Sequence, residues 1–183
     1  MLKNSKEASK NIVKEKHNSK SKTQKITFAA LLAAIYAALT LALSFLSYGP
    51  VQFRIAEGLT VLPYFSPYAI YGLFIGCIAS NIISPMGIPD LIFGSIATLI
   101  AAILTYYIGR SNLKYKKVLA PLPSVLINAI IIGTMLKILY VKDMPLYLNM
   151  IYVGVGQLVC CYGLGLPLMS IIEKNKSLNK ILK

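Results

Sequence analysis

Arg54 and Glu57 stand three residues apart in FRIAEGLTVLPYFSPYAIYGLFIG, a stretch from Phe53 to Gly76 that holds no other charge. An ionisable group in an apolar membrane segment costs on the order of 2.5–3.5 kcal/mol on insertion scales, so it marks a functional site by default. Residues at i and i+3 share a helix face, which predicts that the pair neutralises itself and points at one cavity. A structural ion pair pinning two spans together is the other reading. Asp90 adds a second acid. It follows Pro89, where an Asp also serves simply to start a helix by accepting from orphan N–H groups. Asn81, Asn128, Asn149 and Gln157 offer amide edges that suit a heterocycle or an interhelical hydrogen bond equally. Tyr140 and Tyr152 offer a stacking surface for a flat ligand, or belong to the interfacial belt with Tyr64, Tyr68, Tyr71 and Tyr147.

Covalent chemistry has little material. The single histidine, His17, lies in the polar N-terminal segment, so a His-based triad or metal site is not expected. Cys77, Cys160 and Cys161 lie in apolar runs without metal-ligand spacing, and three is an odd count for a disulfide framework. They read as small buried hydrophobes. No GxxxxGK[ST] phosphate loop occurs, and no nucleophile–base set is visible. The chain is therefore not expected to be an enzyme or to carry a cofactor or metal. If it moves a solute uphill, another protein or an ion gradient must drive it.

The elements that hold these residues are membrane helices. Only 14% of the 183 residues are charged, 56% are hydrophobic and the mean hydropathy is +0.66, whereas a soluble domain averages about 25% charged. Lys and Arg number 19 against 6 Asp and Glu, a net charge of +13. These basic residues cluster outside the apolar runs, so they read as topology signals and anionic-lipid contacts, not as a nucleic-acid surface. The pattern predicts an all-α integral membrane protein. Residues 1–25, with eight Lys, form a disordered basic cytoplasmic tail; 26–172 form a transmembrane domain; 173–183 form a second basic cytoplasmic tail. Within the domain six runs stand out, at 26–47, 54–65, 67–83, 91–109, 118–140 and 147–172. Taking the second and third runs as one span would leave five.

Basic-residue placement decides between them. With six spans, one side collects the tail, 110–117 and 174–183, which is 16 of the 19 Lys and Arg. Five spans would put the basic loop after 91–109 opposite the basic tail. The positive-inside rule prefers six, with both termini cytoplasmic. Arg54, Glu57, Asn81 and Asp90 then fall at the outer end of the bundle, with Asn128 and Gln157 deeper, a layout suited to capturing an external solute. In the first run, Ala29, Ala33 and Ala37 repeat every four residues beside Ala30, Ala34 and Ala38. Small residues at this spacing let another helix approach closely, either within the protein or from a partner.

The run FRIAEGLTVLPYFSPYAIYGLFIGCIASNI followed by GIPDLIFGSIATLIAAILTYYIGR resembles the QueT family. Its fingerprint is R-x-x-E-x-x-x-x-x-P, here Arg54, Glu57 and Pro63, joined to a G-x-P-D turn ending at Asp90. That family comprises substrate-binding S components of energy-coupling factor transporters assigned to queuosine precursors. The resemblance implies a six-helix bundle binding its solute near the extracellular face of a prokaryotic cell membrane. It implies docking through Ala29, Ala33 and Ala37 onto a membrane T component, with two cytoplasmic ATPases driving release. The implied substrates are 7-deazaguanines: queuine, preQ1 or preQ0. A guanine-type edge presents adjacent N–H donors that a carboxylate accepts in pairs, which suits Glu57 or Asp90. Ring carbonyls suit Arg54 or an amide such as Asn81, Asn149 or Gln157, and Tyr140 or Tyr152 suits the ring face. A stand-alone ion-coupled carrier or channel using Glu57, and a non-transporting membrane scaffold, are the competing readings.

Overall fold

The computed structural model describes residues 2–47, 53–175, 178, 179 and 182, with side chains from residue 22 onward. Every element among them is helical. Helix α1 (Leu2–Ala42) runs from the Lys-rich segment straight through the alanine rows, so the boundary expected near Ile26 is one of polarity and not of backbone. After the short α2 (Ser44–Ser47), residues Ile55–Tyr64 wind as a 3-10 helix. Pro63 lies inside it, where a proline ring disfavours α-helix by clashing with the preceding turn. Pro67 then biases Ser66 away from helical backbone and forces a corner. Helix α3 (Tyr68–Asn81) follows. The one-turn α4 (Gly87–Pro89) leads into a π turn, Asp90–Gly94, and on into α5 (Ser95–Arg110). The chain closes with α6 (Lys116–Leu119), α7 (Leu122–Leu139), α8 (Leu146–Gly163) and α9 (Gly165–Lys174).

Among the described residues, four segments are long and apolar enough to cross a membrane: Lys22–Ala42, Gly87–Arg110, Lys116–Leu139 and Leu146–Lys174. The second and third apolar runs are shorter. Ten 3-10 residues reach about 20 Å, and the 14 residues of α3 about 21 Å, against a hydrocarbon core of about 30 Å.

The 3-10 helix is the hub, touching α1, α3, α5, α8 and α9. One core cluster joins Leu32 and Tyr36 of α1 to Ala56, Leu62, Leu73, Cys77 and Ala102. A second joins α5, α7 and α8 through Ala97, Ile132, Met135 and Val153. Large apolar side chains such as Leu31, Ile75, Ile103, Ile130 and Val159 face outward, as expected where hydrocarbon is the solvent.

The corner between the 3-10 helix and α3 marks one end of the bundle. Lys116 lies 5.9 Å from the Tyr64 ring and Lys25 lies 5.1 Å from the Tyr68 ring. Arg54, at the start of the 3-10 helix, pairs instead with Asp90 beyond the C-terminus of α3. The 3-10 helix and α3 thus run in opposite directions between the same two ends.

Candidate functional site

Arg54 sits one residue ahead of the 3-10 helix in extended backbone (φ −88°, ψ 93°). It is therefore not on a common helix face with Glu57. Its guanidinium Nη2 lies 3.4 Å from Oδ2 of Asp90. Arg54 thus forms an ion pair with a distant segment while also attracting Glu57 electrostatically.

Glu57, inside the helix, is fully buried (0% exposed). Three donors converge on its carboxylate. Tyr36 donates its hydroxyl to Oε1, Thr98 donates to the same oxygen at 3.4 Å, and Asn128 Nδ2 donates to Oε2 at 3.4 Å. An acceptor-only group surrounded by donors from α1, α5 and α7 is the arrangement an ionised carboxylate takes. Below it, Thr60 donates to the Glu57 carbonyl at 2.6 Å and receives from Ser124 at 2.7 Å. Cys161 Sγ lies 3.5 Å from the same carbonyl and 3.5 Å from Oε1 of Gln157.

Asp90 is also fully buried. Ser84 donates to its Oδ2 at 2.7 Å, and Asn81 Nδ2 donates to its backbone carbonyl at 3.0 Å. The π turn that Asp90 opens brings Gly94 against this group. A Cβ there would lie 2.7 Å from Asn81 Nδ2 and 3.1 Å from Asp90 Oδ1, so only glycine leaves the pair room. Cys77 Sγ joins the two halves, at 3.3 Å from Thr98, 3.4 Å from Asn81 Nδ2 and 3.9 Å from Arg54 Nη1. It is buried as expected, yet its neighbours are polar.

The structure thus gathers Arg54, Glu57, Asn81 and Asp90 into one buried group, with Asn128 beside Glu57. Gln157 connects through Cys161. Asn149 is buried on α8 with its Nδ2 unpaired among the described residues. Tyr140 and Tyr152 are 44% and 39% exposed. The Tyr140 hydroxyl donates to the Met86 carbonyl, tying the end of α7 to the loop that carries Ser84. Grooves of about 500 and 640 Å³ run elsewhere, the first lined by Phe93, Ile96 and Ile138, the second by Leu41, Phe45 and Pro85. Ala29 and Ala33 pack against α3. A Cβ on Gly72 would lie 2.7 Å from the Ala29 carbonyl oxygen, and one on Gly76 would lie 2.7 Å from that of Ala33. Ala29, Ala33 and Ala37 are half-buried, while Ala30, Ala34 and Ala38 are exposed.

Tyr36, Cys77, Ser84 and Thr98 were not among the residues singled out for binding from the sequence. One signal for Tyr36 was available: it pairs with Thr40 at i, i+4 inside an otherwise apolar helix, and both are fully buried. Tyr36→Phe keeps the ring and deletes one donor to Glu57. Hydrogen bonds to charged groups contribute about 1.5–3 kcal/mol, so a fall in thermal stability of that order is expected in detergent melts. An unchanged melt would show that the bond contributes nothing to the fold.

The relatives of the chain agree with a membrane transporter. The family model described as QueT transporter matches residues 26–174. A protein of Lactococcus lactis subsp. cremoris (strain MG1363), described as "Queuosine precursor transporter QueT", is 42% identical over 83 residues, covering 44% of this chain and 48% of that protein. The matched segment therefore spans about half the length of that relative. No solved structure matches significantly. With most of its length matched by the family model, the chain belongs to the QueT transporter family.

Proposed function

We propose that this chain is the membrane-embedded substrate-capture subunit, or S component, of an ATP-driven energy-coupling factor importer, and that it binds a 7-deazaguanine queuosine precursor from outside a prokaryotic cell. The observation that carries this reading is the buried group of Arg54, Glu57 and Asp90 with the amides of Asn81 and Asn128, lying inside the segment matched by the family. Two carboxylates, a guanidinium and amides are the complement of a guanine-type edge, whose adjacent N–H donors and carbonyl acceptor need partners when desolvated. The name of the Lactococcus relative supports the substrate class.

Six traverses with cytoplasmic termini remain the topology of choice. The 3-10 helix and α3 form an antiparallel pair, and the corner between them shares its end with Lys25 and Lys116, as the positive-inside rule requires of a cytoplasmic end. Docking of a membrane T component, with two cytoplasmic ATPases behind it, is assigned to the α1 face of Ala29, Ala33 and Ala37. Because α3 already covers part of that row, the partner approaches from the open side, where Ala30, Ala34 and Ala38 lie.

Uptake of labelled precursor tests the reading. Proteoliposomes holding the chain with its T component and ATPases should import only with ATP inside or outside on the ATPase face. Proteoliposomes holding the chain alone should bind without net transport. Import by the lone chain that follows an ion gradient would assign it instead to the stand-alone carriers.

A further inference from the structure

We infer that an anionic phospholipid has a built seat on this protein, with one acyl chain in the groove between the C-terminal half of α5 and the start of α7 and its phosphate on the basic loop 110–117. The inference stands apart from the substrate-capture reading. It turns a general expectation of lipid contact at basic ends into one place, on two observations: a groove and the charge at its mouth.

The groove holds about 430 Å³ and its walls are almost wholly apolar. Leu104 and Ile108 line it from α5, and Leu122 and Leu126 from α7. The spacing of four keeps each pair on one helix face. Leu104 and Leu126 remain 42% and 50% exposed, so the rest of the described protein leaves the groove open. Loop residues Ser111 and Leu113 also line it, which makes the loop its mouth. From Leu104 to Ser111 the helix rises about 10 Å, against about 15 Å for one leaflet of hydrocarbon. A chain lying in the groove therefore keeps its glycerol end level with Ser111. Lipid tails are as apolar as these walls, so the groove alone selects no particular lipid. Selection must come from the mouth.

Residues 110–117 carry Arg110, Lys114, Lys116 and Lys117 and no acid. Glu173 matches Lys117 at 2.6 Å. Lys116 Nζ donates to the carbonyl oxygens of Gly109 and Ser111 at 3.3 and 3.4 Å, which pins a positive charge at the rim of the groove. The Arg110 guanidinium lies 3.6 Å over the Tyr106 ring, and Lys114 Nζ lies 5.5 Å from the Tyr115 ring. An aromatic face orients a cation without neutralising it. Among the described residues, Arg110, Lys114 and Lys116 have no carboxylate partner. Ser111 gives its hydroxyl to the Ile108 carbonyl at 2.7 Å, so the basic side chains are what holds the headgroup. Three uncompensated cations at the mouth of an apolar groove are the complement of a phosphate joined to hydrocarbon.

Native mass spectrometry of the detergent-purified full chain tests the assignment. The probe is an equimolar mixture of phosphatidylglycerol and phosphatidylcholine with identical acyl chains. The unaltered chain should retain one phosphatidylglycerol about tenfold more often than phosphatidylcholine, and the double variant Arg110→Gln, Lys114→Gln should bring that ratio to about twofold or less. Both altered residues are exposed, so the fold should survive. Leu126→Trp fills the groove and should lower retention of both lipids. Glycerophosphoglycerol, the same headgroup without chains, should fail to displace the bound lipid. Equal retention of the two lipids by the unaltered chain overturns the inference, as does an unchanged ratio in the double variant. Displacement by glycerophosphoglycerol also overturns it, since the headgroup alone then binds and the groove is idle. Loss of the lipid on assembly with the T component and ATPases overturns it too, by giving the groove to a partner helix.

Discussion

Glu57→Gln is expected to weaken ligand binding by more than tenfold, which is about 1.4 kcal/mol or more. The substitution preserves shape and removes charge, but its largest effect is geometric. The carboxylate is held by Tyr36 and Thr98 on one oxygen and Asn128 on the other. A glutamine must present an NH2 to one of those sides, setting donor against donor. Leaving such a buried group unsatisfied costs about 1–3 kcal/mol. Calorimetry with queuine and its aminomethyl precursor measures the loss, and a thermal melt of the same preparation separates it from unfolding. Unaltered affinity in the variant would take Glu57 out of the site.

Gly76→Val is expected to damage the fold severely. The nearest atoms to its Cβ would be the Ala33 carbonyl oxygen at 2.7 Å, Tyr36 Cβ at 2.9 Å and Ala33 Cα at 3.0 Å. Two of these are backbone, so α1 and α3 must separate. Overpacking of this kind costs about 1–3 kcal/mol and sometimes more, and between membrane helices close packing is the main cohesive force. Pushing α1 away also withdraws Tyr36 from Glu57, so binding should fall together with stability. Gly163→Ala is the matched control. Nothing lies within 4 Å of a Cβ there, and alanine is favoured over glycine in helices by up to about 1 kcal/mol. A Gly76→Val melt as high as that of the unaltered chain would mean the two helices have slack that their contact distances deny.

Much of this architecture was legible in the sequence, because membranes impose strong rules. Apolar runs give helices, since an unpaired backbone is excluded from hydrocarbon. The rarity of charge inside those runs pointed to Arg54 and Glu57, and the turn before the fourth run added Asp90; the structure brings the three into one buried group. What the sequence hid was the winding. Treating 54–65 as α-helix put Arg54 and Glu57 on one face, whereas the proline-bearing segment forms a 3-10 helix that begins after Arg54. The partners of Glu57 were hidden for a different reason. Tyr36, Thr98 and Asn128 come from three helices far apart in the chain, and an isolated Tyr or Thr in an apolar run carries no spacing that distinguishes a ligand of Glu57 from an ordinary interhelical bond.

The 3-10 winding that sets Glu57 above Thr60 has a consequence for how this stretch tolerates change in length. With three residues to the turn, positions 57, 60 and 63 eclipse one another, and each added residue swings everything downstream by about 120°. A single insertion between Glu57 and Thr60 would leave the acid facing Tyr36 while carrying Thr60 away from Ser124. Three inserted residues would restore the phase at the expense of a longer rod. This segment counts in triplets.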